Sequence, residues 1–322
     1  MERPAGYSVG IDPSVGGAEL RPQQPGDTKV RGQTGALLAL IVAVTSVSTA
    51  SGPEPYEPTQ FFPVFDGVES ATASESVNLA YHGGSVQVLP SVYLVFWGWF
   101  GVDPAGEAPY LIRFLEGIGG STWASTLTQY GEDARGNIEN PAGQLAGIWW
   151  DDALPIDGGL MVLPENVQGE VQRAVDHFGH RADANYIVAV PTLRNDPHFA
   201  IPGGFCAYHS RMTDTSFRKV AFTYLPYIPD APAGACGANF VNPGVQGLLD
   251  GVSIVVGHEY AETITDPRRG SGWLDDWGQE IGDKCVWIQE GPGAAYNTEF
   301  TTGTFAVQTL WSNVAGGCGD PE

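Results

Sequence analysis

The strongest constraint on how this chain folds is the segment Val245-Gln-Gly-Leu-Leu-Asp-Gly-Val-Ser-Ile-Val-Val256, running into Gly257-His-Glu-Tyr-Ala-Glu-Thr-Ile-Thr-Asp-Pro267. Apolar residues at 245, 248, 249, 252, 255, 256, 260 and 264 predict a buried helix. Pro267 ends it, because proline cannot continue the hydrogen-bond ladder. Residues four apart share a helix face, so His258 and Glu262 point the same way, with Glu259 beside them. Zinc hydrolases use this arrangement: two ligands at i and i+4, and a glutamate after the first acting as general base. Here glutamate replaces histidine at the second ligand position, and carboxylate is also a competent zinc ligand. Burying Glu259 and Glu262 on an apolar helix is costly unless a cation holds them. Two alternatives accompany zinc. One is calcium. In the other, His258 caps loops and the carboxylates pair with Arg268 or Arg269.

A third nitrogen ligand must come from His82, His177, His180, His198 or His209. His209 is the preferred one, because it lies three residues after Cys206, which a disulfide would pin. His177 and His180 end an amphipathic helix, where a charge favourable to the helix dipole is the ordinary role. Downstream, Glu280 and Asp283 lie in an acid-rich segment. With Asp266 they are the candidates for a third ligand or for groups that orient the ligands. Asp275 and Asp276 read as surface turn residues.

The compartment follows from the N-terminal region and the cysteines. Gly35-Ala-Leu-Leu-Ala-Leu-Ile-Val-Ala-Val44 is an apolar core preceded by Lys29 and Arg31 and followed by small residues up to Ala50. Residues 1–50 therefore read as a signal peptide, too short in its apolar run for a stable membrane span. Its basic and acidic residues balance, so the remainder keeps the whole net charge of −22. That charge repels phosphate backbones and excludes nucleic acid as a partner. Cys206, Cys236, Cys285 and Cys318 all lie after residue 50. An even count in an exported chain implies two disulfides. Of the three possible pairings, Cys206–Cys236 and Cys285–Cys318 close local loops of about 30 residues, each stabilising by roughly 3 kcal/mol.

Residues 51–78, rich in Pro, Ser, Thr and Glu, read as a mobile N-terminal segment or short propeptide. Residues 79–322 read as one globular domain. Ser85–Leu89, Val92–Trp97, 146–150, 185–190 and 219–225 carry strand formers. Residues 107–130 and 164–178 carry apolar faces at helical spacing. The expected fold is α/β or α+β, a mixed sheet flanked by helices, loop-rich, with the His-Glu-x-x-Glu helix buried inside it.

Several short segments, taken in order, resemble one family. They are Tyr81-His-Gly-Gly84, Val92-Tyr-Leu-Val-Phe-Trp-Gly98, Phe205-Cys-Ala-Tyr-His209, Gly257-His-Glu-Tyr-Ala-Glu262 with Thr265-Asp-Pro267, Gly272-Trp-Leu-Asp275, Glu280-Ile-Gly-Asp-Lys-Cys285 and Gly317-Cys318. Over about 240 residues the chain is similar to the EXORDIUM, or phosphate-induced, protein family. The resemblance implies an extracellular or cell-wall protein, linked in plants to growth control, with a His-Glu-x-x-Glu helix and a recurring histidine at position 209. Plant members tend to carry two cysteines before that histidine, whereas here there is one, and Asn-x-Ser/Thr sequons are absent. Both departures imply a microbial relative.

Two functions follow as expectations. The first is a secreted zinc-dependent hydrolase, a metallopeptidase acting on extracellular peptide or protein, with His258, Glu262 and His209 as ligands and Glu259 as base. The alternative is a non-catalytic protein that binds or signals through cell-wall polysaccharide, with Trp149-Trp150 beside Asp151-Asp152 as the contact surface. A glycosidase using paired carboxylates is a third option. Residues 51–322 contain no Gly-x-Ser-x-Gly elbow and no phosphate-binding loop.

Overall fold

The computed structural model describes residues 60–65, 77–154 and 162–319. The expected signal peptide, residues 1–50, lies outside the described residues. In chain order the strands are β1 (Gln60–Pro63), β2 (Ala80–Tyr81), β3 (Ser91–Trp97), β4 (Gly131–Glu132), β5 (Gly136–Asn137), β6 (Leu145–Asp151) and β7 (Ala184–Ala189). They continue with β8 (Phe205–Thr213), β9 (Lys219–Leu225), β10 (Trp273–Leu274), β11 (Tyr296–Phe300), β12 (Gly303–Val307), β13 (Trp311–Ser312) and β14 (Gly317–Cys318). The helices are α1 (Glu107–Ile118), α2 (Thr122–Ser125), α3 (Pro164–Phe178) and α4 (Asp250–Thr265).

One six-stranded sheet organises the molecule, in the order β1-β8-β9-β7-β3-β6. The four strands β9, β7, β3 and β6 are parallel; β8 and β1 extend the sheet antiparallel. The mixed sheet with helices on both faces is the architecture the sequence predicts. Side-chain alternation sorts the two cores. Leu94 and Phe96 of β3 pack with α1 and α4, whereas Tyr93, Val95 and Trp97 pack with α3.

α4 is buried at every residue from Asp250 to Thr265. It lies between the sheet, where it meets β8 and β9, and a second layer made by α1 and β12. Covered on all sides, it presents no face to solvent, so its apolar residues and its His258, Glu259 and Glu262 are buried alike. Close packing adds glycines: a Cβ at Gly257 would stand 3.4 Å from both Phe114 and Trp123.

Four expectations change. The buried helix expected from Val245 begins only at Asp250: Gly244–Gly247 is a 3-10 turn, and Val245 and Leu248 are exposed. Ser85–Leu89 is not a strand: Val86, Gln87 and Val88 are buried, but Gln87 N–H donates to the Ile264 carbonyl at 2.9 Å, and Val86 N–H donates to Glu132 at 3.0 Å. Those partners, on α4 and β4, replace a ladder. The single helix expected over 107–130 breaks after Ile118, because Gly119 is extended and Gly120 takes a φ of 78°. Ser121 then starts α2 by accepting from Ala124 N–H. Finally, the supposedly mobile 51–78 segment contains β1, which pairs with β8 from Gln60↔His209 to Pro63↔Phe205. Its Phe62 is fully buried. The rest of that segment, apart from 64–65 and 77–78, lies outside the described residues.

The disulfides are Cys206–Cys236 and Cys285–Cys318, the pairing that local loop closure predicts. No helix among the described residues is long and apolar enough to cross a membrane.

Candidate metal centre

Three parts of the chain bring ionisable side chains to one place. α4 supplies His258, Glu259 and Glu262. β8 supplies His209, paired on either side with Gln60 and Thr223. The loop before and around a short 3-10 turn, Asp283–Cys285, supplies Glu280 and Asp283. His209, His258, Glu259, Glu262 and Glu280 have no solvent exposure, while the Asp283 side chain keeps 12%.

The geometry centres on Glu262. Its Oε2 lies 2.9 Å from His258 Nε2 and 3.6 Å from His209 Nδ1. Its Oε1 accepts the Asp283 N–H at 3.0 Å. Glu259 Oε2 lies 2.9 Å from His209 Nδ1, and the other nitrogen of that ring faces Glu280 Oε1 at 3.6 Å. Asp283 Oδ1 is 3.9 Å from His258 Nε2. Donor atoms bonded to one zinc at 2.0–2.2 Å sit about 3.3 Å apart in a tetrahedron, so these separations are on the scale of a ligand set. Two groups of three have donor atoms all within 4.8 Å of one another: His209, Glu262 and Glu280, and His258, Glu262 and Asp283.

What the site lacks, among the described residues, is a lysine or arginine. No lysine or arginine among the described residues pairs with Glu259, Glu262 or Glu280. Arg268 and Arg269 are exposed, which removes the structural alternative that assigned the helix carboxylates to them. Lys284 is buried but pairs with Asp275 at 2.8 Å and lies 4.2 Å over the Trp311 ring. Glu259 Oε1, Glu262 Oε2 and both Glu280 oxygens are buried without a hydrogen-bond donor. An isolated buried carboxylate is strongly destabilised, so this donor set fits a divalent ion.

Without a metal, burial and crowding perturb Glu262, Glu280, His209 and His258. Burial, and then the neighbouring Asp283 charge, raise the Glu262 carboxyl well above the usual range. Burial and Glu262 do the same to Glu280. Burial alone would lower His209, but Glu280 and Glu259 beside it prevail and raise it well above an ordinary histidine. His258 is lowered, chiefly by burial, which favours the neutral form that ligates metals.

Of the residues singled out in the sequence, His258, Glu262, His209, Glu259, Glu280 and Asp283 converge. Asp266 does not join them: its carboxylate accepts N–H groups from Gly270, Ser271 and Gly272 and holds the turn after α4. Asp275 is corrected from surface to core, at 3% exposure, because it accepts Trp277 and Gln279 N–H groups as well as Lys284. Asp276 is exposed, as expected.

Three residues escaped the sequence reading. Gln308 Oε1 lies 3.3 Å from His258 Nδ1, and its amide donates to the Gly282 carbonyl at 3.0 Å. A Cβ on Gly282 would stand 2.5 Å from His258 Nδ1, so only glycine lets that loop cross the site. Phe62 meets the His258 ring edge-on at 4.4 Å. Gln308 and Phe62 are more than forty positions from His258, and Gly282 stands in no spacing that marks it.

A separate cavity of about 380 Å³ includes Phe61, Phe205, Tyr208, Asp196 and His198 in its lining, on the α3 side of the sheet. Of the candidate ligands it holds only His198, which does not join the cluster around Glu262. Comparison with known proteins matched no family model, no curated protein and no solved structure.

Proposed function

We propose that the protein is an extracellular metal-dependent hydrolase, with zinc as its ion and peptide bonds as its target. One observation carries this reading: His258 and His209 converge on a single Glu262 oxygen, beside Glu259, in a buried pocket with no lysine or arginine among the described residues to balance its carboxylates. A bound divalent ion would supply Lewis acidity and activate water at neutral pH. Glu259 holds His209 through one oxygen and keeps the other without a donor, so it is placed both to orient a ligand and to accept a proton. His258 is held by Gln308 through Nδ1, which leaves Nε2 facing Glu262. Asp283 is the one partly exposed member of the cluster, at 12%. The two disulfides and the resemblance to the EXORDIUM family support an extracellular setting.

The test is cleavage of casein and of a peptide library by zinc-loaded protein. Glu259→Gln is expected to lower the rate by about 10²–10⁴-fold while retaining the metal. An unchanged rate in that variant, or no cleavage by the wild type, sinks the peptidase reading; absence of zinc after metal-replete refolding sinks the metal site itself.

The rival reading, a non-catalytic polysaccharide-binding protein with a structural metal, is favoured by one feature. Trp150 on edge strand β6 is 48% exposed, its ring stacked on Phe96 at 4.1 Å. Retention on insoluble polysaccharide, lost in Trp150→Ala, would favour it over hydrolysis.

A further inference from the structure

We propose that the centre is dinuclear, with Glu262 bridging two divalent ions. This rests on the metal-site reading above and concerns how many ions that site takes. The first ion would lie among His209, Glu262 and Glu280; the second among His258, Glu262 and Asp283.

The two groups share Glu262 and nothing else. Glu262 Oε2 faces a histidine from each group, His258 at 2.9 Å and His209 at 3.6 Å. An oxygen between two ligand sets is where a bridging carboxylate belongs. A mononuclear centre would have to draw on one group and leave out the other's acid: Glu280, buried with both oxygens lacking a hydrogen-bond donor, or Asp283, which is partly exposed.

Charge decides between the two states. Glu259, Glu262, Glu280 and Asp283 carry four negative charges when ionised, and both histidines are neutral when they ligate. One divalent ion leaves two of those charges uncompensated in a site with no lysine or arginine among the described residues paired to its glutamates. Two divalent ions neutralise all four. Where the three buried glutamates are ionised, uncompensated charge is the larger cost, and the balanced state is favoured. Glu259 and Glu262 both approach His209 at Nδ1, at 2.9 and 3.6 Å, and Glu280 approaches it at Nε2, at 3.6 Å, so carboxylates face the ring on both its nitrogens. A two-ion centre would supply an activated water and polarise the carbonyl oxygen it attacks, chemistry that suits amide hydrolysis.

The experiment is metal content per folded chain by elemental analysis, after saturation with zinc and, separately, with manganese. About two ions per chain are expected. Glu280→Gln and Asp283→Asn should each hold about one, and Glu262→Gln fewer than one. Manganese-loaded wild type should show the exchange-coupled electron paramagnetic resonance spectrum of two ions about 3.5–4 Å apart. That readout does not depend on any variant folding. One ion per chain with an uncoupled manganese spectrum overturns the dinuclear centre and leaves the mononuclear hydrolase standing. Two coupled ions in a protein that cleaves no peptide do the reverse. No bound metal overturns both.

Discussion

Each ionisable group in the centre is perturbed by its neighbours, and the signs of those perturbations combine into a measurable pH dependence. Without metal, the Glu262 and Glu280 carboxyls are raised by burial and by adjacent acids. The folded state then binds more protons than the unfolded one above the unfolded carboxyl range, near pH 4.3. Their stabilising contribution is present below that range and fades as pH rises. His209, raised by Glu280 and Glu259 against burial, works in the same sense, because its cationic form is lost as pH rises. His258, lowered by burial, works in the opposite sense and disfavours folding only as pH falls below the usual histidine range. Metal binding requires ionised carboxylates and neutral imidazoles, so it strengthens with pH. The difference in Tm between metal-loaded and chelator-treated protein should therefore widen between about pH 5 and pH 8. Calorimetry at several pH values checks this, and a constant gap would show that these groups do not ligate.

Among the elements, α4 and β1 show what sequence can and cannot convey. α4 was legible because a run apolar on every face, closed by Pro267, admits few placements. The i, i+4 spacing of His258 and Glu262 survives in any environment that keeps the helix. β1 was not legible: Gln60–Pro63 has only four residues, sits among prolines and owes its strand conformation to β8. The same dependence misled the reading of Ser85–Leu89, whose strand-forming residues are buried in the core and bonded to α4 and β4 rather than to a neighbouring strand. Asp283 was visible only as a neighbour of Glu280, since its approach to α4 depends on Gly282 crossing the site. β1 nonetheless matters to the centre, because Phe62 is fully buried and packs its ring against both His258 and Trp287, at 4.4 and 4.7 Å. Phe62→Ala should cost about 3–5 kcal/mol of stability by the cavity it leaves. It should also weaken metal affinity, since His258 loses the ring beside it. Denaturant unfolding and competitive chelation measure the two effects separately, and a destabilised variant with wild-type affinity would show that Phe62 serves packing alone.

At the scale of the whole molecule, the centre ties together segments that the chain keeps far apart: β8 at position 209, α4 at 258–262 and the 280–283 loop. Both disulfides end next to it. Cys206 precedes His209 by three residues and pairs with Cys236. Cys285 follows Asp283 by two and is tied to Cys318 at the end of the described chain. Metal and disulfides thus restrain the same segments, so their contributions to stability should not add. Removing Cys206–Cys236 by the double serine substitution should cost about 2–5 kcal/mol in the metal-loaded protein. With His209 freed from its anchor, metal affinity should fall as well, so chelation should cost the variant less than it costs the wild type. A double-mutant-style cycle, with chelator as one arm and the disulfide as the other, isolates that coupling from unfolding free energies. A coupling of at least about 0.5 kcal/mol is expected for restraints acting on one element. Strict additivity would mean that β8 holds His209 in place without the bridge, and that the disulfide serves the fold but not the metal.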